Sequence, residues 1–284
     1  QNAQVFREAL ERGYENNIVL EHHSNYEYPE KSFDQWDPHE ISHRLASENW
    51  NMPLIVTTNV QFFESLYSNK GSRCRKLHNM VNSVIVLDEA QMIPLNHMKP
   101  CLWALAELVI NYKATVVLCT ATQPAVKEII PGGLTPVEIM ENPDELQMIF
   151  KRVNIEYHGY ISDEKLAEVI AKNHQVLTIV NTRRHAKILF NKVNEISQKD
   201  VYHLSARMCP AHRKEVINKI REVLKAGSPC RVVSTQLIEA GVDIDFPVVY
   251  RAASGVDSIA QAAGRCNREG KLPSGNVIIF DPEP

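Results

Sequence analysis

The chain has 284 residues, of which 44% are apolar and 23% charged, with a formal net charge of −3. That length suits two globular domains of ~100–200 residues each, and the near-neutral balance leaves a nucleic-acid partner open, because backbone phosphates need only a local basic groove. No run reaches the ~18 apolar residues of a membrane span, no signal peptide opens the chain, and Cys74, Cys101, Cys119, Cys209, Cys230 and Cys266 contain no C-x-x-C pair. A membrane protein, a zinc ribbon and a thioredoxin-type redox site are thereby excluded, and a cytoplasmic protein with buried thiols is expected.

In chain order, residues 1–10 read as the middle of an amphipathic helix with no initiator Met, which predicts a piece of a longer protein. Short apolar runs predict strands at residues 17–22, 54–58, 83–87, 115–119, 176–181, 231–235, 248–252 and 276–280. Each is nearly continuous, as expected for strands covered on both faces. Helical patterns fill 97–112, 182–196 and 210–226, the last with Val216, Ile217, Ile220, Val223 and Leu224 on one stripe and Gly227 beyond its end. The alternation predicts an α/β fold with parallel sheets. Breakers from Pro131 to Pro143 predict a linker within 131–160, and domains at 1–145 and 146–284.

Four motifs carry chemistry. The strand ending at Leu87 delivers Asp88 and Glu89 to the carboxyl edge of a sheet, where α/β proteins bind ligands. In a nucleotide hydrolase Asp88 would hold Mg²⁺ and Glu89 would polarise the attacking water; the plainer reading is a helix cap. Thr120-Ala121-Thr122 follows the next strand, so the hydroxyls of Thr120 and Thr122 can bond the acid pair and relay nucleotide state, or simply form a turn. In the third motif, residues 234–245, Gly241 suits close backbone approach to a ligand and Asp243 a ribose or the metal site. In the fourth, Gln261, Arg265 and Arg268 are spaced i, i+4, i+7 and would share one helix face, with two guanidiniums for a γ-phosphate.

D-E-A-Q, T-A-T, S-T-Q-L-I-E-A-G-V-D-I-D and Q-A-A-G-R-C-N-R have the order and spacing of motifs II, III, V and VI of superfamily 2 helicases. Residues 57–64 resemble motif Ib and residues 179–186 motif IV. L-D-E-A-Q-M-I-P, L-C-T-A-T-Q-P, V-N-T-R-R-H-A and S-T-Q-L-I-E-A-G-V-D-I-D-F-P resemble the CRISPR-associated helicase-nuclease of type I systems. That resemblance implies two tandem RecA-like lobes, the first incomplete at its N-terminus, binding ATP between them and translocating 3′-to-5′ on single-stranded DNA. An RNA-guided surveillance complex would recruit the protein. By the same resemblance Asp88 anchors Mg²⁺, Glu89 is the general base, Gln91 and Gln261 sense the γ-phosphate region, and Arg265 and Arg268 contact phosphates. Thr58, Arg183 and Thr235 would lie along the DNA, with Arg73, Arg75 and Lys76 as further phosphate contacts or a solvated loop. No G-x-x-x-x-G-K-[ST] and no His-Asp dipeptide occur in the sequence, so the phosphate loop and the HD-type nuclease domain are expected upstream in the same polypeptide. The 284 residues alone are expected to bind ATP poorly and hydrolyse none.

Other readings compete. His39-Glu40-Ile41-Ser42-His43, with Glu64 beyond, matches a zinc-protease pattern. His22-His23 reads as a surface pair at a strand end. A superfamily 2 RNA helicase, another DNA translocase, or a non-catalytic nucleic-acid-binding remnant fits the same motifs.

Overall fold

The computed structural model describes residues 2–10, 18–23, 38–120, 129–239 and 241–283. The chain divides into two compact units, Gln1–Glu138 and Ile139–Pro284.

The first unit runs α1 (Asn2–Leu10), β1 (Val19–His22), α2 (Pro38–Asn49), β2 (Leu54–Thr57), α3 (Asn59–Tyr67), two single turns α4 (Gly71–Cys74) and α5 (Leu77–Met80), β3 (Val84–Leu87), α6 (Leu95–Tyr112) and β4 (Thr115–Leu118). β1 pairs with β2 and β3 with β4, both in parallel. Thr58 starts α3 by accepting the Gln61 N–H at 3.2 Å. α6 stops where Lys113 turns left-handed (φ 56°) and Ala114 N–H reaches back to Leu108 O at 3.0 Å. Leu20, Trp50, Phe62, Met80, Leu87, Leu102, Leu105 and Leu108 form the core. β3 departs from the two-sided cover expected of it: Leu87 is buried, but Val84 and Val86 remain 68% and 60% exposed.

Trp50 organises this core. Its ring stacks on Phe62, its indole N–H donates to His22 Nδ1 at 2.8 Å, and Lys76 Nζ lies 5.4 Å from its centroid. Two sequence expectations change here. Lys76 is buried rather than offered to a phosphate, while Arg73 and Arg75 pair with Glu64 and Glu48, each at 3.7 Å. His22, at the end of β1, is half-buried rather than a free surface histidine, and its ring accepts a hydrogen bond from the core tryptophan. Burial, then Lys76 and His23, push its pKa down, and burial followed by Lys187 does the same for His203. The fold therefore favours the neutral form of both rings, and the stability this contributes is full above the ordinary histidine value of ~6.5 and lost as pH falls toward the lower folded value. The expected result is a melting temperature that drops between about pH 7.5 and 5.5, with a shallower drop in His22→Asn. A flat profile over that window contradicts this.

The second unit contains α7 (Pro143–Ile149), β5 (Val153–Tyr160), α8 (Asp163–Lys172), β6 (Gln175–Ile179), α9 (Arg183–Ser197), β7 (Val201–Leu204), α10 (Pro210–Lys225), β8 (Cys230–Ser234), β9 (Val248–Ala252), α11 (Val256–Ala263) and β10 (Gly275–Asp281). Its sheet has the order β5-β10-β9-β6-β8-β7, all parallel. Successive residues alternate between two cores. Leu177, Ile179, Val232, Val249 and Val277 face one, and Val176, Val180, Val233, Tyr250 and Ile278 the other. β6, β8, β9 and β10 are covered on both faces, as their nearly continuous apolar runs predict, while β7 (Val201–Leu204), an edge strand, is not among those predicted.

β5 lies inside the stretch expected to be a linker. It is an edge strand whose side chains are mostly exposed, joined to β10 by backbone pairing, so it carries no apolar pattern. β6 neighbours β8 on one side and β9 on the other, which makes the ends of these three strands a topological switch point.

Candidate functional site

In the first unit the acid pair sits where β3 leaves the core. Leu87 is buried, whereas Asp88 and Glu89 are exposed. The ladder continues past the strand, with Cys119 N–H to Leu87 O at 2.9 Å and Ala90 N–H to Cys119 O at 3.0 Å. Glu89 is left-handed (φ 52°, ψ 45°), an uncommon state for a side-chain-bearing residue and one that recurs at functional sites. Its N–H donates to Asp88 Oδ1 at 3.1 Å, and the Gln91 side-chain amide donates to its carboxylate. Gln91 Oε1 is buried without a hydrogen-bond partner among the described residues. The helix-cap explanation for the acids fails: α6 begins after Pro94, and Glu89 makes no side-chain cap to the single 3-10 turn Ala90–Met92. Thr120 is half-buried at the end of β4, while Thr122 lies outside the described residues. Thr58 is exposed, though its hydroxyl is engaged in capping α3.

In the second unit the expected residues collect on the loops following β6, β8 and β9. Thr182 caps α9 by accepting His185 N–H at 3.1 Å, leaving Arg183 exposed in the first turn. Thr235 is only 8% exposed, so its side chain is not laid open along the surface as a DNA-lining residue would be. Gly241 is left-handed (φ +70°), and a Cβ there meets nothing within 4 Å. The position therefore asks for glycine through its backbone angle rather than through close approach of a described neighbour. Asp243 pairs with Arg268 Nε at 3.1 Å, with both side chains exposed.

The arginines do not share a helix face with Gln261. α11 ends at Ala263, Gly264 N–H returns to Ala260 O at 2.9 Å, and the chain then pairs with the loop beyond β8. Phe246 N–H donates to Arg265 O at 3.0 Å and Asn267 N–H to Phe246 O at 2.9 Å, a strand-like contact that replaces another helical turn. Arg265 is buried, with Nε on Ile238 O at 3.0 Å and Nη2 on Glu239 O at 2.5 Å. Arg268 alone presents its guanidinium to solvent, and its backbone N–H is fixed by Asp245 Oδ1 at 2.7 Å. Gln261 is half-buried on α11.

Below this loop lies β10. A Cβ on Gly275 would stand 2.5 Å from Cys266 Sγ and 2.9 Å from Asn267 Cβ. Gly275→Ala is expected to destabilise by ~1–3 kcal/mol through overpacking and to displace the arginine loop. Denaturant unfolding measures it, and an unchanged midpoint contradicts the packing described. Burial pushes the Cys266 thiol up to about 12, consistent with an inert core thiol. Cys101 and Cys230 are buried like Cys266, whereas Cys119 and Cys209 are exposed.

Residues 172–271 match the family described as CRISPR-associated nuclease/helicase Cas3, C-terminal. CRISPR-associated nuclease/helicase Cas3 proteins of Haloferax volcanii and Methanothermobacter thermautotrophicus are 47% identical over 60 residues and 49% over 53, or 19% and 17% of this chain and 6% of each relative. Over these stretches the chain is similar to CRISPR-associated nuclease/helicase Cas3 proteins. Among solved structures, T. fusca Cas3-ATP is similar with TM-score 0.72 at 17% identity, over 100% of this chain and 39% of that one. The DUF1998 helicase MrfA bound to DNA and AMPPNP gives 0.66 at 17%, over 99% and 40%. A CRISPR RNA-guided surveillance complex, pre-nicking, gives 0.63 at 19%, over 84% and 36%. At such identities the likeness shows the fold, which is α/β with RecA-like parallel sheets, and the chain spans about two fifths of the length of the first two structures.

Family motifs pick out exposed Arg268 and buried Arg265 alike, but not the residues that hold them. Arg251, wholly buried in β9, Glu239 and Asp245 were not anticipated. Arg251 had a visible signal: it is the one charge in the apolar run 248–252. The side chains of His39 and Glu40 lie outside the described residues. Glu64 pairs with Arg73, and no three His, Cys, Asp or Glu are placed to hold a metal among the described residues. No helix among them is long and apolar enough to cross a membrane.

Proposed function

We propose that this chain is the motor region of an ATP-dependent helicase that translocates on single-stranded DNA in CRISPR type I interference. The observation that carries it is the β3 terminus. Two exposed carboxylates follow the buried Leu87 at the end of a parallel strand, the second is held left-handed and hydrogen-bonded by Gln91, and Glu89 makes no side-chain helix cap.

Asp88 fits a Mg²⁺ site of the kind shared with nucleotide phosphates, being an exposed carboxylate with one oxygen on the Glu89 N–H. The ion, when bound, would neutralise charge on the β- and γ-phosphates. Glu89 orients and deprotonates the attacking water, with Gln91 fixing its carboxylate. Arg268 meets the phosphate charge that grows in the transition state. Asp243 holds that guanidinium meanwhile, and an exposed ion pair of this kind is worth only ~0–1 kcal/mol, so releasing it costs little. Gln261 and Gly241 complete the nucleotide contacts, Thr120 and Thr122 relay its state, and Thr58 and Arg183 contact DNA. Thr235 supports the loop that follows it.

Similarity to a DNA-bound helicase and to a CRISPR surveillance complex supports DNA as the track and that complex as a partner. An HD-type nuclease domain of the same polypeptide would degrade the displaced strand. The reading is tested by strand displacement on DNA and RNA duplexes, using the polypeptide as encoded, with whatever sequence flanks these residues. ATP-dependent opening of DNA duplexes is expected. Activity confined to RNA duplexes points instead to an RNA helicase, and bound strands without ATP turnover to a non-catalytic remnant.

A further inference from the structure

We propose that Arg251 is a positioning residue that couples the loop after β6, which carries Arg183, to the loops that carry Arg265 and Arg268. The inference rests on the reading that Arg183 contacts DNA and Arg268 contacts nucleotide.

Arg251 lies in β9, beside the switch point, and its side chain is fully buried. One branch, Nη1, donates to Asn181 Oδ1 at 2.7 Å and to Ala252 O at 2.8 Å. Asn181 is two residues before Arg183, and its own amide donates to Ala253 O at 2.8 Å, which locks the β6 loop against the end of β9. The other branch, Nε, stands 2.8 Å from Glu239 Oε1, a carboxylate 4% exposed. Ser258 on α11 hydrogen-bonds the same carboxylate. Through its backbone oxygen Glu239 accepts from Arg265, which is followed by the strand-like pairing of Arg265 and Asn267 with Phe246. Arg268 is the next residue, fixed at its N–H by Asp245. A continuous path of short polar contacts thus runs Asn181, Arg251, Glu239, Arg265 and on to Arg268.

The choice of residues supports coupling over stabilisation. Burying two charges gains nothing, as a rule, over apolar side chains of equal volume, and burial here pushes the Glu239 carboxyl upward against the opposing pull of Arg251. A pair kept at that cost fixes geometry. In a low-dielectric interior its links are also stiff, so a shift of the Asn181 loop is transmitted to Glu239 rather than dissipated in water. The path is one physical network of the kind that carries coupling between sites.

The test uses the polypeptide as encoded in five forms: wild type, Arg251→Met, Glu239→Gln, the double variant, and Asn181→Leu. Each is read for melting temperature and for ATP kcat and KM with and without single-stranded oligo-dT. Each single change at the pair leaves a lone buried group and should lower the melting temperature by several degrees. The double variant leaves no unpaired charge and should recover most of that loss. Its stimulation of kcat by DNA should nonetheless fall about tenfold, the scale of a typical coupling energy, with KM for ATP little changed. Asn181→Leu removes the first link from an exposed position without burying a charge, so it should lose stimulation at near wild-type stability, and it serves if the double variant does not fold. Wild-type stimulation in either the stable double variant or Asn181→Leu overturns the proposal and leaves the pair a packing unit. Wild-type protein without DNA-stimulated hydrolysis overturns the motor reading, and the coupling with it.

Discussion

Replacing Arg268 with alanine is expected to lower kcat for ATP by ~10³–10⁵, the range set by an arginine that meets transition-state charge, while the melting temperature moves by roughly a degree or two. The structure separates this residue from Arg265, which the sequence pairs with it. The Arg268 guanidinium is exposed and, among the described residues, pairs with an exposed carboxylate, so its loss leaves no buried charge unpaired. Arg265 is buried and donates to two backbone oxygens of the β8 loop. Each such charged hydrogen bond is worth ~1.5–3 kcal/mol, so Arg265→Ala should appear first as a folding defect of ~2–5 kcal/mol. Parallel melting and steady-state kinetics on the two variants decide the matter. A stable, catalytically dead Arg265→Ala beside an active Arg268→Ala would reverse the roles assigned here.

The second large effect is structural. Phe246→Ala should cost ~3–5 kcal/mol, as for other large buried aromatics, and lower the melting temperature by about 10 °C. Phe246 is 1% exposed in the core beneath β8 and β9, and its backbone exchanges both hydrogen bonds with the arginine loop. The variant therefore loses packing and the register of Arg265–Asn267 together. Phe246→Leu fills most of the volume and should recover over half of the loss. Equal midpoints for the alanine and leucine forms would show that this side chain is not packed as described.

How much of this was legible in the residues varied with burial. β6, β8, β9 and β10 announced themselves because both faces of the sheet are covered there, which makes runs such as residues 176–180 apolar but for Thr178, whereas the edge strand β7 offered no such run. β5 was silent for the opposite reason: an edge strand held by its backbone places no demand on side chains that face water. Asp88 and Glu89 were readable because strand-end acids followed by Ala90-Gln91 form a specific pattern, but the left-handed turn at Glu89 has no sequence signal of its own. The helix predicted through Arg268 failed because helical spacing is a local rule. At Gly264 it yields to a tertiary one, the pairing of residues 265–267 with Phe246 and the Asn267 side chain that ties Arg152 O and Leu272 O. Lys76 shows the same limit, a basic residue in a basic run that the core claims through Trp50.

The central claim is that Glu89 is the base of an ATP-driven motor on single-stranded DNA. Its most direct test is ATP hydrolysis by the polypeptide as encoded, wild type against Glu89→Gln, with and without single-stranded DNA. The account predicts hydrolysis that DNA stimulates and that Glu89→Gln lowers by ~10²–10⁴ at unchanged DNA affinity. Turnover that survives Glu89→Gln at the wild-type rate contradicts it.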